Sequence, residues 1–520
     1  MKILYTGLSS KYIHTMPAGW FLSEYLSNSG IHIDELYLNV NMAYNEILNR
    51  ILSYDADMLL FSVYIFNVEI IKKLIDNIKL NNPKIIIVVG GPEVTEDFIA
   101  DHIIIGEGER AILRLIKNGG DKIIKEELIK NLDEIPSPYT EERLIESENK
   151  LIYYESSRGC PFKCSYCMAS LSSGVRYFSI GRVKEDLTRI VNSGALIIKF
   201  TDRTFNVNRK RANEILKFIK DSFYDRKVCF HFEVGGDLFT RSTMDILKTM
   251  PKGLIQMEAG VQTLNPLSLK SINREFDIDK FIRNISEIIS YNNIHLHLDL
   301  IAGLPDDDKL SFINSFNRVI SLKPNMLQLG FLKFLKGTPI RENYHAKFNE
   351  LAPYEVISTP TMDKEDFKEL KQVEIVLDRL YNSGKFVNSL NAINYANTYE
   401  MFLNISKHFK ELGISQSDYE YKLYEGMLSF MKDIKFNKEI LRFDFLITNN
   451  SKVLPDSLKT IYSETFKKFL KGNKADRDYH YAEFNYLPIE KREGNFIVKF
   501  NYLYRNPVNN QYNYEIISDI

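Results

Sequence analysis

The run SSRGCPFKCSYCM at residues 156–168 decides how the rest of the chain is read. It holds Cys160, Cys164 and Cys167, three of the four cysteines, with three and then two residues between them. A structural zinc site closes its tetrahedron with four protein ligands, and neither a spaced histidine pair nor a second cysteine pair follows to complete one. Three soft thiolates suit iron and sulfide at least as well. They can hold three irons of a 4Fe-4S cluster and leave the fourth iron open. A zinc staple and a redox thiol set remain as alternatives. A disulfide framework is disfavoured, because it would strand cysteines in a chain without a secretion signal.

At 520 residues the chain exceeds what one hydrophobic core organises, so several domains are expected. Apolar residues make up 44%, charged residues 26%, and the formal net charge is −1. No global basic field exists to gather nucleic acid. The longest apolar run, IIIVV at 85–89, is far short of a membrane span. Cytoplasmic residence is the expectation, in a reducing compartment that spares an open iron.

Residues 1–130 alternate buried β-branched runs with amphipathic helical ones. The strand candidates are KILYTG (2–7), HIDELY (32–37), MLLFSV (58–63), KIIIVVGG (84–91) and HIIIGEGE (102–109). That alternation predicts a doubly wound parallel sheet. Its ligand then lies outside the carboxyl ends of the strands, at 7–14, 62–67, 90–95 and 106–109. The GGPE run (Gly90, Gly91, Pro92, Glu93) and the GEGE run (Gly106, Glu107, Gly108, Glu109) allow backbone to approach a bulky ligand. Glu107 and Glu109 read equally well as the acidic start of a helix. No GxGxxG follows the first strand and no GxxxxGK[ST] loop is present, which disfavours a dinucleotide or nucleotide. Residues 131–150, with IPSPY, read as a linker.

Over 151–345 the alternation continues with strand candidates at 151–157, 195–202, 228–234, 254–260, 294–303 and 326–334. Six βα units predict an incomplete barrel whose functional residues gather at the strand carboxyl ends. Candidates there are Asp202 and Arg203, then Glu233, then Glu258 and Gln262 with Arg274 downstream, then Asp299. Cys229 lies inside a strand and reads as a buried small hydrophobe. Residues 346–520 read as an accessory domain, with helical patterns at 363–385, 399–412, 417–432 and 457–470 and short antiparallel strands at 481–489, 494–504 and 512–518. The Lys-rich stretch 464–476 reads as a solvated helix end, with no nucleic-acid motif beside it.

The CxxxCxxC run with Tyr166 before its third cysteine resembles the radical S-adenosylmethionine (SAM) motif. SSRGCP, GGPE and GEGE resemble the branch of that family with a cobalamin-binding domain in front, and the domain order resembles a bacterial group of it with a C-terminal extension. The resemblance implies one 4Fe-4S cluster on Cys160, Cys164 and Cys167, SAM on its open iron, and cobalamin across the first sheet. EAGVQT and DLIAGLP resemble runs of radical SAM enzymes related to anaerobic coproporphyrinogen oxidase. There Gln262 and Asp299 would hold the SAM ribose, Glu233 its amino acid part, and Tyr166 would lie beside the adenine. The usual GGE after the second strand is replaced here by TDRTFN, and the DxHxxG run that supplies a lower cobalt ligand is absent; His14 is the nearest candidate.

The activity so implied is reductive cleavage of SAM by a flavodoxin- or ferredoxin-fed cluster, with a cobalamin-dependent C-methyltransferase as the leading reading. Oxidoreductase, cyclase or rearrangement chemistry on the same parts is the alternative, and a metal-stapled binding protein the remote one. The substrate is not legible.

Overall fold

The computed structural model describes residues 1–519 other than 173, 394, 396, 452 and 474–477. Its first sheet contains β1 (Ile3–Ser9), β2 (Asp34–Asn39), β3 (Met58–Ser62), β4 (Ile86–Gly90), β5 (His102–Ile105) and β6 (Ile123–Lys125). All pairs are parallel, in the order β2-β1-β3-β4-β5-β6. Five of these strands were legible as apolar runs; β6 has three residues, too few to show a period. Every residue of β1 and β3 is buried, as expected of a parallel sheet covered by helices on both faces. The chain reverses its winding direction between β1 and β3, so the carboxyl ends of those strands flank a crevice.

Residues 131–150 form a short 3-10 turn, Leu132–Glu134, and a helix, Glu141–Glu146. This stretch is anchored: Ile135, Tyr139 and Leu144 are buried, and the Tyr139 ring meets those of Trp20 and Phe21 edge-on.

The second sheet is the partial barrel. Its strands are β7 (Ile152–Tyr154), β10 (Ile197–Phe200), β11 (Cys229–Val234), β12 (Ile255–Gln262), β13 (His295–Ala302) and β14 (Met326–Phe331). They pair in parallel in simple sequence order from β7 to β14. A ribbon of β8 (Ser157–Gly159) and β9 (Val175–Tyr177) brackets the cysteine loop. Five outer helices begin on Ser179, Asn208, Thr240, Asp277 and Asp308, whose side chains each accept a backbone N–H of the first turn. Each such cap contributes about 1 kcal/mol. Burial alternates strictly along β12 and β13. Ile255, Met257, Ala259 and Val261 pack under the helices, leaving Gln256, Glu258, Gly260 and Gln262 in the lumen.

A two-stranded ribbon, β15 (Lys347–Phe348) with β16 (Val356–Ser358), leads into the C-terminal region. Helices there span Lys364–Val376, Thr398–Glu411, Glu420–Phe430, Asn437–Thr448 and Glu464–Gly472. They precede an antiparallel sheet of β17 (Tyr479–Leu487), β18 (Arg492–Arg505) and β19 (Tyr512–Asp519). Residues 474–476 of the Lys-rich stretch lie outside the described residues.

The helix Asn437–Thr448 departs from the sequence expectation, for a physical reason. Nine consecutive residues from Ile440 to Thr448 are buried, so it shows no polar face and hence no amphipathic period. The two charged side chains within that buried stretch, Asp444 and Arg442, find partners in neighbouring elements. Asp444 accepts from the backbone and side chains of Ser389 and Asn388 at 2.7–3.1 Å. Arg442 donates to the Glu483 carbonyl and lies 4.5 Å from the Phe484 ring centre. One continuous apolar core runs from the barrel into this region.

Candidate functional site

The cysteine loop leaves the carboxyl end of β7 and is held by its neighbours. Asp202, just past β10, accepts from Ser156 N, Ser156 Oγ and Ser157 N at 2.8, 2.6 and 3.1 Å. Gly159 has φ +97°, and a Cβ there would sit 2.3 Å from the Gly174 carbonyl oxygen. Lys163 folds back to donate to the carbonyls of Ser170 and Ser172 at 2.8 and 2.7 Å, so it clamps the loop. Backbone bonds from Ser165 N to Ile272 and from Ile340 N to Ser165 tie the loop to the segments beyond β12 and β14.

Within this frame Cys160 and Cys164 are buried, Cys167 is half-buried, and all three are free thiols. Thr204 Oγ1 stands 3.9 Å from the Cys160 sulfur, and Arg274 Nη1 stands 3.9 Å from that of Cys164. The same Nη1 lies 3.4 Å from the Tyr166 hydroxyl, while Nη2 donates to the Gly260 carbonyl at 2.6 Å. Cys229 is the first residue of β11 and lies at the opposite end of the barrel; burial pushes its thiol up to about 11.

The predicted SAM-side residues stand on adjacent strands at the barrel mouth. Register places Gly260 beside Asp299 and Glu233 beside Glu258, with a bulge before Gln262. Gln262 adopts φ +70°. Its Oε1 and the Oδ1 of Asp299 are buried without a hydrogen-bond partner, as expected of groups that await a ligand. Burial first, then the nearby Glu258 and Glu233, pushes the Asp299 carboxyl up to about 7. Burial and Glu258 also raise Glu233. Glu258 is held at about 2 by its contact with His231, against burial, and by Lys199.

A cavity of about 470 Å³ lies between the first sheet's carboxyl ends and the cysteine loop's stem. Ser62, Gly90, Gly91 and Gly106 line one side, and Ser157, Gly159 and Arg203 the other. Gly106 has φ +103°, and a Cβ there would meet nothing within 4 Å. Gly91 differs: at φ +114° its Cβ would lie 2.6 Å from the Val63 carbonyl, so the turn itself demands glycine.

The two candidate runs split accordingly. Pro92 and Glu93 are not among the lining residues; Glu93 is buried and accepts from the Tyr354 hydroxyl at 2.8 Å. Glu107, Gly108 and Glu109 do line the cavity, but the two carboxylates are engaged. Glu109 accepts from Arg158 at 2.7 Å, and Glu107 meets Arg158 at 3.3 Å and Arg176 at 2.6 Å. Arg158 also binds Glu155 at 2.8 Å. Burial opposes ionisation of Glu107, yet Arg176 and Arg158 hold its carboxyl below the usual value. No histidine lines the cavity; His14 instead bonds Ser10 Oγ at 3.0 Å and packs edge-on against Tyr153.

Deeper in the lumen, Glu258, one of the sequence candidates, meets Lys199, His231 and His297, which sequence reading passed over. The alternation HLHLDL in β13 placed His295, His297 and Asp299 on one face, and that was the available signal.

Residues 5–116 match the B12 binding domain family, residues 154–318 the Radical SAM superfamily, and residues 342–511 the family "Protein of unknown function (DUF4080)". Over 306 residues the chain is 26% identical to the uncharacterized methyltransferase PH0819 of Pyrococcus horikoshii, covering 52% of this chain and 65% of that protein. Over 308 residues it is 24% identical to the 2-(S-pantetheinyl)-carbapenam-3-carboxylate methyltransferase of Streptantibioticus cattleyicolor, covering 50% of this chain and 44% of that protein. The chain thus spans less than two thirds of either relative's length. The cobalamin-dependent SAM radical enzyme OxsB, solved with aqua-cobalamin and SAM bound, superposes with a TM-score of 0.56 at 15% identity, covering 83% of this chain and 75% of that one; the likeness is one of fold. The chain therefore joins a B12-binding domain to a radical SAM domain and a further C-terminal region, the arrangement of cobalamin-dependent radical SAM enzymes.

Proposed function

We propose that this chain is a radical SAM enzyme that binds cobalamin and methylates a carbon of its substrate. The observation that carries the reading is the three-thiol loop at the barrel mouth, adjoining the cavity at the first sheet's carboxyl ends through Ser157, Gly159 and Arg203. The donor set fits a cluster: three clustered thiols, with the fourth cysteine at the far end of the barrel, leave one metal position for an external ligand. The cavity fits a corrin, because Gly106 presents bare backbone to it.

Cys160, Cys164 and Cys167 would hold the cluster. Gln262 and Asp299 would orient the SAM ribose, Glu233 would face its amino acid part, and Tyr166 would flank the adenine. Gly90, Gly91 and Gly106 would admit the corrin, while Glu107 and Glu109 fix the position of the first domain through Arg158 and Arg176. When bound, these groups supply one-electron cleavage of SAM and a transferable methyl group, chemistry that no side chain provides. The protein contributes alignment, where ~1 Å of misplacement can cost ~100-fold in rate. Electrons would come from a flavodoxin- or ferredoxin-type donor in the cytoplasm. Among the described residues no helix is long and apolar enough to cross a membrane.

Products of the reconstituted protein test the reading. S-adenosylhomocysteine together with 5′-deoxyadenosine supports methylation. Deoxyadenosine alone, with a rearranged or oxidised product, replaces it with oxidoreductase or cyclase chemistry.

A further inference from the structure

The cluster in the barrel lumen has the composition of a metal site separate from the three thiols. The ligand atoms of His231, Glu258 and His297, one from each of three neighbouring strands, all lie within 4.8 Å of one another. Closing each side chain by under ~1 Å would bring the three to the ~2.0–2.2 Å distances of a shared zinc-class ion. Their fixed backbone positions follow from strand register, which pairs Glu258 with His297 and sets His231 beside Gln256.

A further observation points to a ligand. The Nε2 of His231 is buried and lies 3.1 Å from Glu258 Oε2, yet lacks the alignment of a hydrogen bond and has no other partner. A buried imidazole nitrogen so placed is costly unless something occupies the space it faces.

Charge and access agree. Glu233, Glu258 and Asp299 converge on this part of the lumen; Lys199 Nζ stands 3.2 Å from Glu258, and Arg203 also acts on Glu233. A second cavity of about 500 Å³ opens at the barrel's amino end, lined by Gln256, His295, Asn325, Tyr381 and Val508. It is covered by the loop before β19, where the Val508 carbonyl bonds His295 and Asn325. Gln256, whose side chain touches His297, lines that cavity.

We propose that His231, Glu258 and His297 form a second metal site, for a divalent zinc-class cation, with an open coordination position in the barrel lumen. Three protein ligands of the His₂Glu type are the set that leaves such a position. Lys199 is its competitor: the ammonium occupies Glu258 when the ion is absent and weakens the ion when it is present.

The test uses the full chain with Cys160→Ala, Cys164→Ala and Cys167→Ala, so that no thiol loop binds zinc and the result is independent of the cluster assignment. The protein is incubated with Zn²⁺, desalted, and its zinc counted by mass spectrometry, with X-ray absorption at the zinc edge. The expected result is about one zinc per chain with N/O ligands at ~2.0–2.1 Å. His231→Gln with His297→Gln then lowers retention at least about tenfold, and Lys199→Met tightens binding, a change that a purely structural ion pair would not produce. The Lys199 arm reads a gain, so it decides the matter even if the histidine double variant fails to fold. No retained zinc, zinc on sulfur at ~2.3 Å, or affinity unchanged by Lys199→Met would overturn the proposal.

Discussion

The guanidinium of Arg274 stands 3.9 Å from the sulfur of Cys164, held there by its bond to the Gly260 carbonyl. A buried cation at that distance stabilises added negative charge on whatever the thiols ligate. Arg274→Met is expected to leave the iron content of the reconstituted protein unchanged and to move the cluster's midpoint potential more negative by roughly 60 mV or more, the equivalent of about tenfold in a one-electron equilibrium. Potentiometric titration reads it; an unchanged potential would mean that Arg274 serves only to hold the Gly260 turn.

Arg158 carries the contact between the first two domains, binding Glu107, Glu109 and Glu155 while its own side chain is only 12% exposed. Removing one partner from a buried ion network leaves uncompensated charge, a loss of about 3–5 kcal/mol. Arg158→Met should therefore lower the urea midpoint sharply. Lys125→Met, which breaks an exposed pair with Glu96, should shift stability by less than ~1 kcal/mol. Equal effects of the two variants would contradict the clasp.

Gly106 and Gly119 both adopt positive φ with open space where a Cβ would go, but only Gly106 lines the cavity. Valine at either position adds backbone strain of about 1–3 kcal/mol. Only Gly106→Val should also reduce cobalamin retained per chain after gel filtration, severalfold against Gly119→Val. His14→Ala should leave retention unchanged, since His14 faces Ser10 and Tyr153. Absorbance of the bound corrin measures all three.

The Asp444 carboxyl is pushed up to about 6 by burial, against its bonds from Ser389 and Asn388. Its folded pKa exceeds the unfolded one, so the folded state binds the extra proton between about pH 4 and 6. Stability from this group is thus fully present below that window and lost as pH rises through it. Two units correspond to at most ~3 kcal/mol. Wild type should lose stability relative to Asp444→Asn as pH rises from 4 to 6, by chemical denaturation at each pH. A difference that stays flat, or grows in the other direction, would show that the hydrogen bonds outweigh burial.

The β-branched runs of β1, β3, β4 and β5 and the period-two alternation of β12 and β13 are long and uninterrupted, and they made both parallel sheets legible. The helix Asn437–Thr448 was not, because burial on all sides erases the amphipathic signature that a surface helix carries. At the site, spacing alone identified Cys160, Cys164 and Cys167. Glycine-rich runs marked the cavity, but not that Glu93 turns away to Tyr354 or that Glu107 and Glu109 are taken by arginines from the next domain. Partners separated by tens of residues leave no local pattern. Arg274 shows the same limit: its position beside Cys164 depends on the turn after β12, which brings residues 110 apart in sequence into contact.

The most direct measurement is made on anaerobically reconstituted protein given SAM and a low-potential reductant. The account predicts about four iron and four sulfide per chain, 5′-deoxyadenosine formed in step with SAM loss, and loss of both cluster and cleavage on Cys160→Ala. Protein that binds a metal through four of its own ligands, or that holds its iron yet leaves SAM intact, would contradict it.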